Sequence, residues 1–194
     1  AILVTGALTK TTNGTVTLTG NTTSAGALTV SAGSLVITGS GAQYKTLSGG
    51  ANINDGSSVT VSNGGAFNTG QTTGDLNIGN NTSGASITVT GAGSTLTQGA
   101  NLRVGTNTSA SGNSLTISNG ATASTFIFYI AQGNNLTTPT ANTVTITGAG
   151  SALTVSNVFE PFDSGSGGIL SVLNGGTLNT LNGTNYMGYY GNSK

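Results

Sequence analysis

Cysteine and histidine are both missing from the 194 residues. Their absence removes the thiolate nucleophile, the imidazole base and the two commonest transition-metal ligands together. Most catalytic chemistry leaves with them, and no cofactor is expected. Charge is scarce as well: four Lys or Arg and four Asp or Glu make up 4% of the chain and cancel. So few cations cannot neutralise a run of phosphates, and no acidic run is present to gather cations, so nucleic acid is not an expected partner. No stretch approaches the roughly 18 to 20 consecutive apolar residues of a membrane-spanning helix, so no span is expected in this segment.

What the chain does have is glycine, 33 of them, with abundant Ser, Thr and Asn. Such a composition alone fits a disordered linker, which cannot bury enough surface to offset the entropy of ordering. The apolar residues argue against that. They form 35% of the chain and fall in short alternating runs, such as Ile87-Thr88-Val89-Thr90 and Val144-Thr145-Ile146-Thr147. A period of two is the signature of a half-buried strand. The chain opens directly on a strand-like run, Ala1-Ile2-Leu3-Val4, which reads as a cut from a longer protein.

The runs repeat. SVTVSNGGAF at 58–67, SITVTGAGSTL at 86–96, SLTISNGATA at 114–123, TVTITGAGSAL at 143–153 and ILSVLNGGTL at 169–178 align, with starts about 28 residues apart. A second series, DLNIGNN at 75–81, NLRVGTN at 101–107 and FYIAQGN at 128–134, lies between them. A fixed period of this size indicates stacked units that bury a continuous core. Each unit reads as a strand, a glycine corner, a short second strand, a loop, a third strand and a corner rich in Gly and Asn. That is one three-sided coil, and the whole of 1–194 reads as a single right-handed parallel β-solenoid domain of about seven coils. Tight corners need φ > 0, which Gly adopts freely and Asn tolerates. Asn63-Gly64, Asn119-Gly120 and Asn174-Gly175 serve in alternate coils, with Gly91 and Gly93, then Gly148 and Gly150, in the others. Val59, Ile87, Leu115, Val144 and Leu170 are expected to form one inward ladder, and Val61, Val89, Ile117, Ile146 and Val172 the next. An antiparallel sandwich or barrel also uses short strands and glycine turns, but it does not require one motif at nearly constant spacing.

The segment LTKTTNGTVTLTGNTTSAGALTVSAGSLVITG at 8–39 resembles the autotransporter-associated β-strand repeat of large bacterial surface and secreted proteins. The resemblance runs through Leu8, Lys10, Gly14, Thr15, Leu18, Gly20, Asn21, Gly33, Leu35 and Val36, with Thr23 where that repeat usually has Tyr. The later coils resemble degenerate copies of it. The resemblance implies a β-helix exported from a bacterial cell to its surface or surroundings, either as a fragment of a longer repeat protein or as a filament subunit. It implies no reaction.

Three groups of residues are candidates for function. With Val59 and Val61 inward, Thr60 and Ser62 face out, as do Thr88 with Thr90, Thr116 with Ser118, and Thr145 with Thr147. This Thr-x-Thr ladder resembles the flat ice-binding face of several β-helical antifreeze proteins, and it equally suits a glycan or a neighbouring solenoid. The plainer reading is that Thr is β-branched and favours strands. The second group begins at Phe126-Ile127-Phe128-Tyr129-Ile130, where both strand faces are apolar. With Phe126, Phe128, Tyr129, Phe159 and Phe162, then Tyr186, Tyr189 and Tyr190 about one coil later, it forms a candidate self-association patch; the plainer reading is a wider core. The third group is the acids Asp55, Asp75, Glu160 and Asp163. Glycoside hydrolysis needs two carboxylates roughly 5 to 9.5 Å apart, and only Glu160 and Asp163 are near neighbours. An irregular loop with two solvated acids is the simpler reading of VFEPFDSG at 158–165, and calcium-loop spacing is lacking. No catalytic or metal site is expected.

Unpaired strand edges at the ends of a solenoid invite further pairing. No charge, proline or helix in the sequence guards them. The expected role is therefore an extracellular structural or adhesive module of a bacterial surface protein or fibre, whose partners are other copies or flanking repeats joined end to end or laterally. The alternative is an ice- or carbohydrate-binding module acting through the Thr ladder.

Overall fold

A computed structural model of the chain describes residues 1–70, 73–133, 141–162 and 167–186. Nineteen strands and no helix make up the described structure. All pair in parallel, stacked as a β-solenoid of about six turns. A seven-stranded sheet forms one side, from Thr15–Leu18 to Gly168–Leu173, so six turns separate its first strand from its last. A 12-stranded sheet wraps the other two sides.

The repeat read from the sequence is the register of the seven-stranded sheet. Ser58 pairs with Ser86, Ser86 with Ser114, Ser114 with Thr143 and Thr143 with Ile169. Both inward ladders form as expected, with Val59, Ile87, Leu115 and Val144 fully buried beside Val61, Val89, Ile117 and Ile146. Each such side chain is worth roughly 1.5 to 3 kcal/mol on burial. The ladders fade at their ends: Leu170 is only partly buried, and Val172 in register below Ile146 is 41% exposed.

Coil length is less uniform than the period of about 28 suggests. Val16 pairs with Leu35, 19 residues on, and Leu35 with Val59, 24 on, before the longer spacing sets in at Ile87. The expected loop between the second and third sides also differs. In the later coils one strand runs through both sides, as in Thr95–Thr106 and Thr122–Gln132, bent by a register shift between Gln98 and Asn101 and between Thr125 and Ile127. In the second series, Leu76, Leu102 and Phe128 are partners, which sets the third member one residue earlier than the motif alignment.

The corner chemistry explains the alternation of Asn-Gly with Thr-Gly-Ala-Gly. Asn63, Asn119 and Asn174 sit at φ of 52°, 55° and 51°, left-handed values that Asn tolerates through local hydrogen bonding. Each donates its Nδ2 to the threonine ending the strand one coil before: Asn63 to Thr38 at 3.0 Å, Asn119 to Thr90 at 3.0 Å and Asn174 to Thr147 at 3.1 Å. In return the next coil offers a buried serine. Gly64 N–H donates to Ser94 Oγ at 3.1 Å and Gly120 N–H to Ser151 Oγ at 2.9 Å. The corners thus clamp successive coils in pairs.

Two further inward columns are polar. Ser24, Thr46, Thr69, Gln98 and Thr125 are all buried at the bend between the second and third sides. Four of them bind backbone left over there: Ser24 Oγ donates to Gly6 O, Thr46 Oγ1 to Gly49 O, Gln98 Nε2 to Gly74 O and Thr125 Oγ1 to Ala100 O, while Thr69 Oγ1 donates to Gln98 Oε1. At the bend before the seven-stranded sheet, Asn113 and Asn142 are fully buried. Asn113 Oδ1 accepts from Ala85 N–H at 2.9 Å, and its Nδ2 donates to Asn142 Oδ1 at 2.9 Å and to Thr82 O. Asn142 Nδ2 donates to Ala110 O at 3.0 Å. Buried amides so satisfied fix a register, because a slip by one residue would leave them unpaired in the core.

The first coil carries a charged residue in an inward column. Lys10 pairs in register with Val30, and so occupies an otherwise aliphatic inward column. Its ammonium donates to the carbonyls of Thr12 at 2.6 Å and Ala32 at 2.7 Å. The same coil exposes apolar Ile2 and Val16, at 58% and 45%.

Candidate functional surfaces

The outward Thr-x-Thr ladder forms in full. Thr60, Thr88, Thr116 and Thr145 are register partners in one column, and Ser62, Thr90, Ser118 and Thr147 in the next. A third column, Ser58, Ser86, Ser114 and Thr143, lies at the other end of the strands. These side chains alternate with the buried ladders and are half-exposed. The result is a small-hydroxyl face with a rise of about 4.8 Å between rows. Its outer column is tied coil to coil: Ser62 Oγ donates to Thr38 Oγ1 and Ser118 Oγ to Thr90 Oγ1, each at 3.0 Å. At its far end the hydroxyls give way to Ile169 and Leu173, 49% and 50% exposed.

The apolar run at 126–130 is split by the strand pleat together with the register shift between Thr125 and Ile127. Phe128 and Ile130 point inward and are fully buried. Phe128 stacks on Phe159, with ring centroids 6.0 Å apart and planes within 6°, and Phe159 is 5% exposed. Those two aromatics are core, and they cannot meet another chain. Phe126, 46% exposed, and half-exposed Ile127 and Tyr129 face out. Phe162 is half-buried, with its ring against the backbone of Gly168. Tyr186 lies on the last described coil, where its N–H donates to Phe159 O at 2.9 Å. Tyr189 and Tyr190 fall outside the described residues. What remains of the expected patch is an outward group on the third side. Arg103, Tyr129 and Glu160 form one column across three coils, beside Asn101, Ile127 and Val158 in another.

Charge gathers on this side too. Arg103 makes an ion pair with Asp75, and its guanidinium lies 5.5 Å from the centre of the Tyr129 ring. Above it in the column, Asn77 Nδ2 donates to Asn52 Oδ1 at 3.0 Å. Asp55 is apart from these, exposed at a corner with φ of 42°. Asp163 lies outside the described residues, so the spacing of Glu160 and Asp163 is not part of the described structure. Among the described residues no three His, Cys, Asp or Glu side chains are grouped as metal ligands would be.

Sequence reasoning found the hydroxyl face through its alternation, but missed the buried polar columns and the Asp75–Arg103 pair. An inward Thr or Asn breaks the apolar pattern and is read as loop. The pair joins residues 28 apart, and the second repeat series carries the signal that would have found it, since Asp75 and Arg103 fall in its successive members.

These features define a class: an all-β parallel solenoid whose outer sides differ in chemistry, one built of small hydroxyls and one bearing planar and charged groups. Comparison with protein-family models, with curated proteins and with solved structures finds no match.

Proposed function

We propose that the chain is a structural or adhesive module of an extracellular bacterial surface protein or fibre, which acts through rigidity and self-association and performs no chemistry. The observation that carries this reading is the unbroken parallel register from Thr15 to Leu173 along one sheet. Such a stack turns a chain of small residues into a stiff rod. Corner clamps and buried amides add stiffness, and the outer surface is almost without charge, which lowers the repulsion between like rods. The resemblance of residues 8–39 to the autotransporter-associated repeat supports export to the cell surface. Sedimentation velocity over a concentration series tests the reading: assemblies growing with concentration are expected, and a monomer at every concentration would contradict it.

A second reading is favoured by the hydroxyl columns at Thr60, Thr88, Thr116 and Thr145, whose regular rows suit ice or a glycan. Replacing Thr88 and Thr145 with Tyr separates the two. A binding face loses its ligand in ice-affinity or glycan-array assays, whereas a scaffold sediments as before.

A further inference from the structure

We infer that self-association, the reading proposed above, includes an antiparallel side-by-side pair of chains that meet across the third side with Tyr129 on the twofold axis. The occupant of this surface is a second copy, and the argument is charge complementarity. Arg103, Tyr129 and Glu160 succeed one another in a single outward column. Adjacent coils are about 4.8 Å apart, so a cation and an anion stand at equal heights above and below the tyrosine. A twofold axis lying in the face, perpendicular to the solenoid and passing over Tyr129, brings Arg103 of each copy opposite Glu160 of the other. The same operation sets Tyr129 against its equivalent.

The neighbouring column obeys the same symmetry. Asn101, Ile127 and Val158 are register partners, so Ile127 meets its equivalent and Asn101 meets Val158. Phe126, 46% exposed, adds an aromatic at the rim of the same strand. The centre of the contact is therefore apolar and aromatic and its margins are charged, the anatomy of a specific interface. A twofold axis parallel to the solenoid would set Arg103 against Arg103 and Glu160 against Glu160, so the charges select the antiparallel arrangement. The internal partners of these groups remain in place. Arg103 keeps Asp75, and Tyr129 and Glu160 keep their own intramolecular interactions, because guanidinium and carboxylate groups each serve more than one partner.

The chain has no cysteine, so a single introduced thiol reports on one position. Tyr129→Cys and Ile127→Cys are treated with a bis-maleimide spanning about 10 Å, the spacing of two packed sheets. Thr116→Cys, on the hydroxyl face, serves as the comparison, and circular dichroism checks each fold. The expected result is a covalent dimer as the major product for Tyr129→Cys and for Ile127→Cys, with Thr116→Cys remaining a monomer. Glu160→Arg, which sets two arginines against each other, is expected to halve the sedimenting mass. Wild-type assemblies with no cross-link at either 127 or 129 would overturn this pairing and leave self-association standing through another surface. A wild-type monomer at all concentrations would overturn both.

Discussion

The carboxamide of Asn142 fills the space above Gly105 so closely that a Cβ at Gly105 would lie 2.3 Å from its Cγ. Asn113 stands in the same relation to Gly79, at 2.2 Å. The next member of the glycine column is Ala131, which keeps the left-handed φ of 56°, and the next member of the asparagine column is Gly168. Where the asparagine is gone, the methyl group is present. Each glycine is thus a seat for the amide of the following coil.

From this relation Gly105→Ala is expected to cost about 2 to 4 kcal/mol, combining backbone strain at φ 74° with the loss of hydrogen bonds around buried Asn142. Asn142→Gly alone also destabilises, but the double variant reproduces the Ala131–Gly168 pairing. Urea unfolding of the four proteins should therefore give a combined cost smaller than the sum of the single ones.

The corner asparagines give a second expectation. At Asn119, φ of 55° suits Gly and penalises a β-branched residue. Asn119→Gly should change stability by no more than about 1 kcal/mol, while Asn119→Val should cost about 1 to 3 kcal/mol. Thermal melts of the two variants against the parent check the ordering.

Tyr44 makes the fold sensitive to alkali. It is fully buried, in tilted contact with Phe67 at 6.0 Å. Burial raises the pKa of its phenol above the ordinary 10.0, and the Ser24 hydroxyl offsets part of that. The folded state therefore holds the proton more tightly than the unfolded chain. The linked stability is fully present below pH 10 and is lost as pH rises from there through the folded pKa. Denaturation between pH 8 and about pH 11 should show a decline that is shallower in Tyr44→Phe. Equal slopes for both proteins would remove Tyr44 as the cause.

Asp75→Asn tests how much the ion pair with Arg103 contributes. Both side chains are partly exposed, 29% and 20%, so solvent screens the attraction. The expected loss is under about 1 kcal/mol, measured by urea titration at low and high salt.

How much of this was legible beforehand depended on which residues faced inward. On the seven-stranded sheet, Val59, Ile87, Leu115 and Val144 alternate with Ser and Thr, and the motif gave the register residue by residue. On the second side the inward column runs Ser24, Thr46, Thr69, Gln98, Thr125, and a buried hydroxyl bound to a corner carbonyl looks in sequence like a solvated one. The same blindness hid Asn113 and Asn142. Five apolar residues in a row at 126–130 give no pleat; register with Leu102 turns Phe128 to the core, and Phe159 follows as its partner one coil on. Lys10 was not singled out for its place in the fold, and only its register with Val30 puts it in the inward column.

The measurement that bears most directly on a scaffold working by shape and self-association is electron microscopy of the protein at the concentration at which it is isolated. Stiff rods in ordered lateral or end-to-end arrays are expected, with an axial spacing that is a multiple of about 4.8 Å. Single, unassociated particles of one chain each would contradict the account and move the hydroxyl face, with a bound ligand, to its centre.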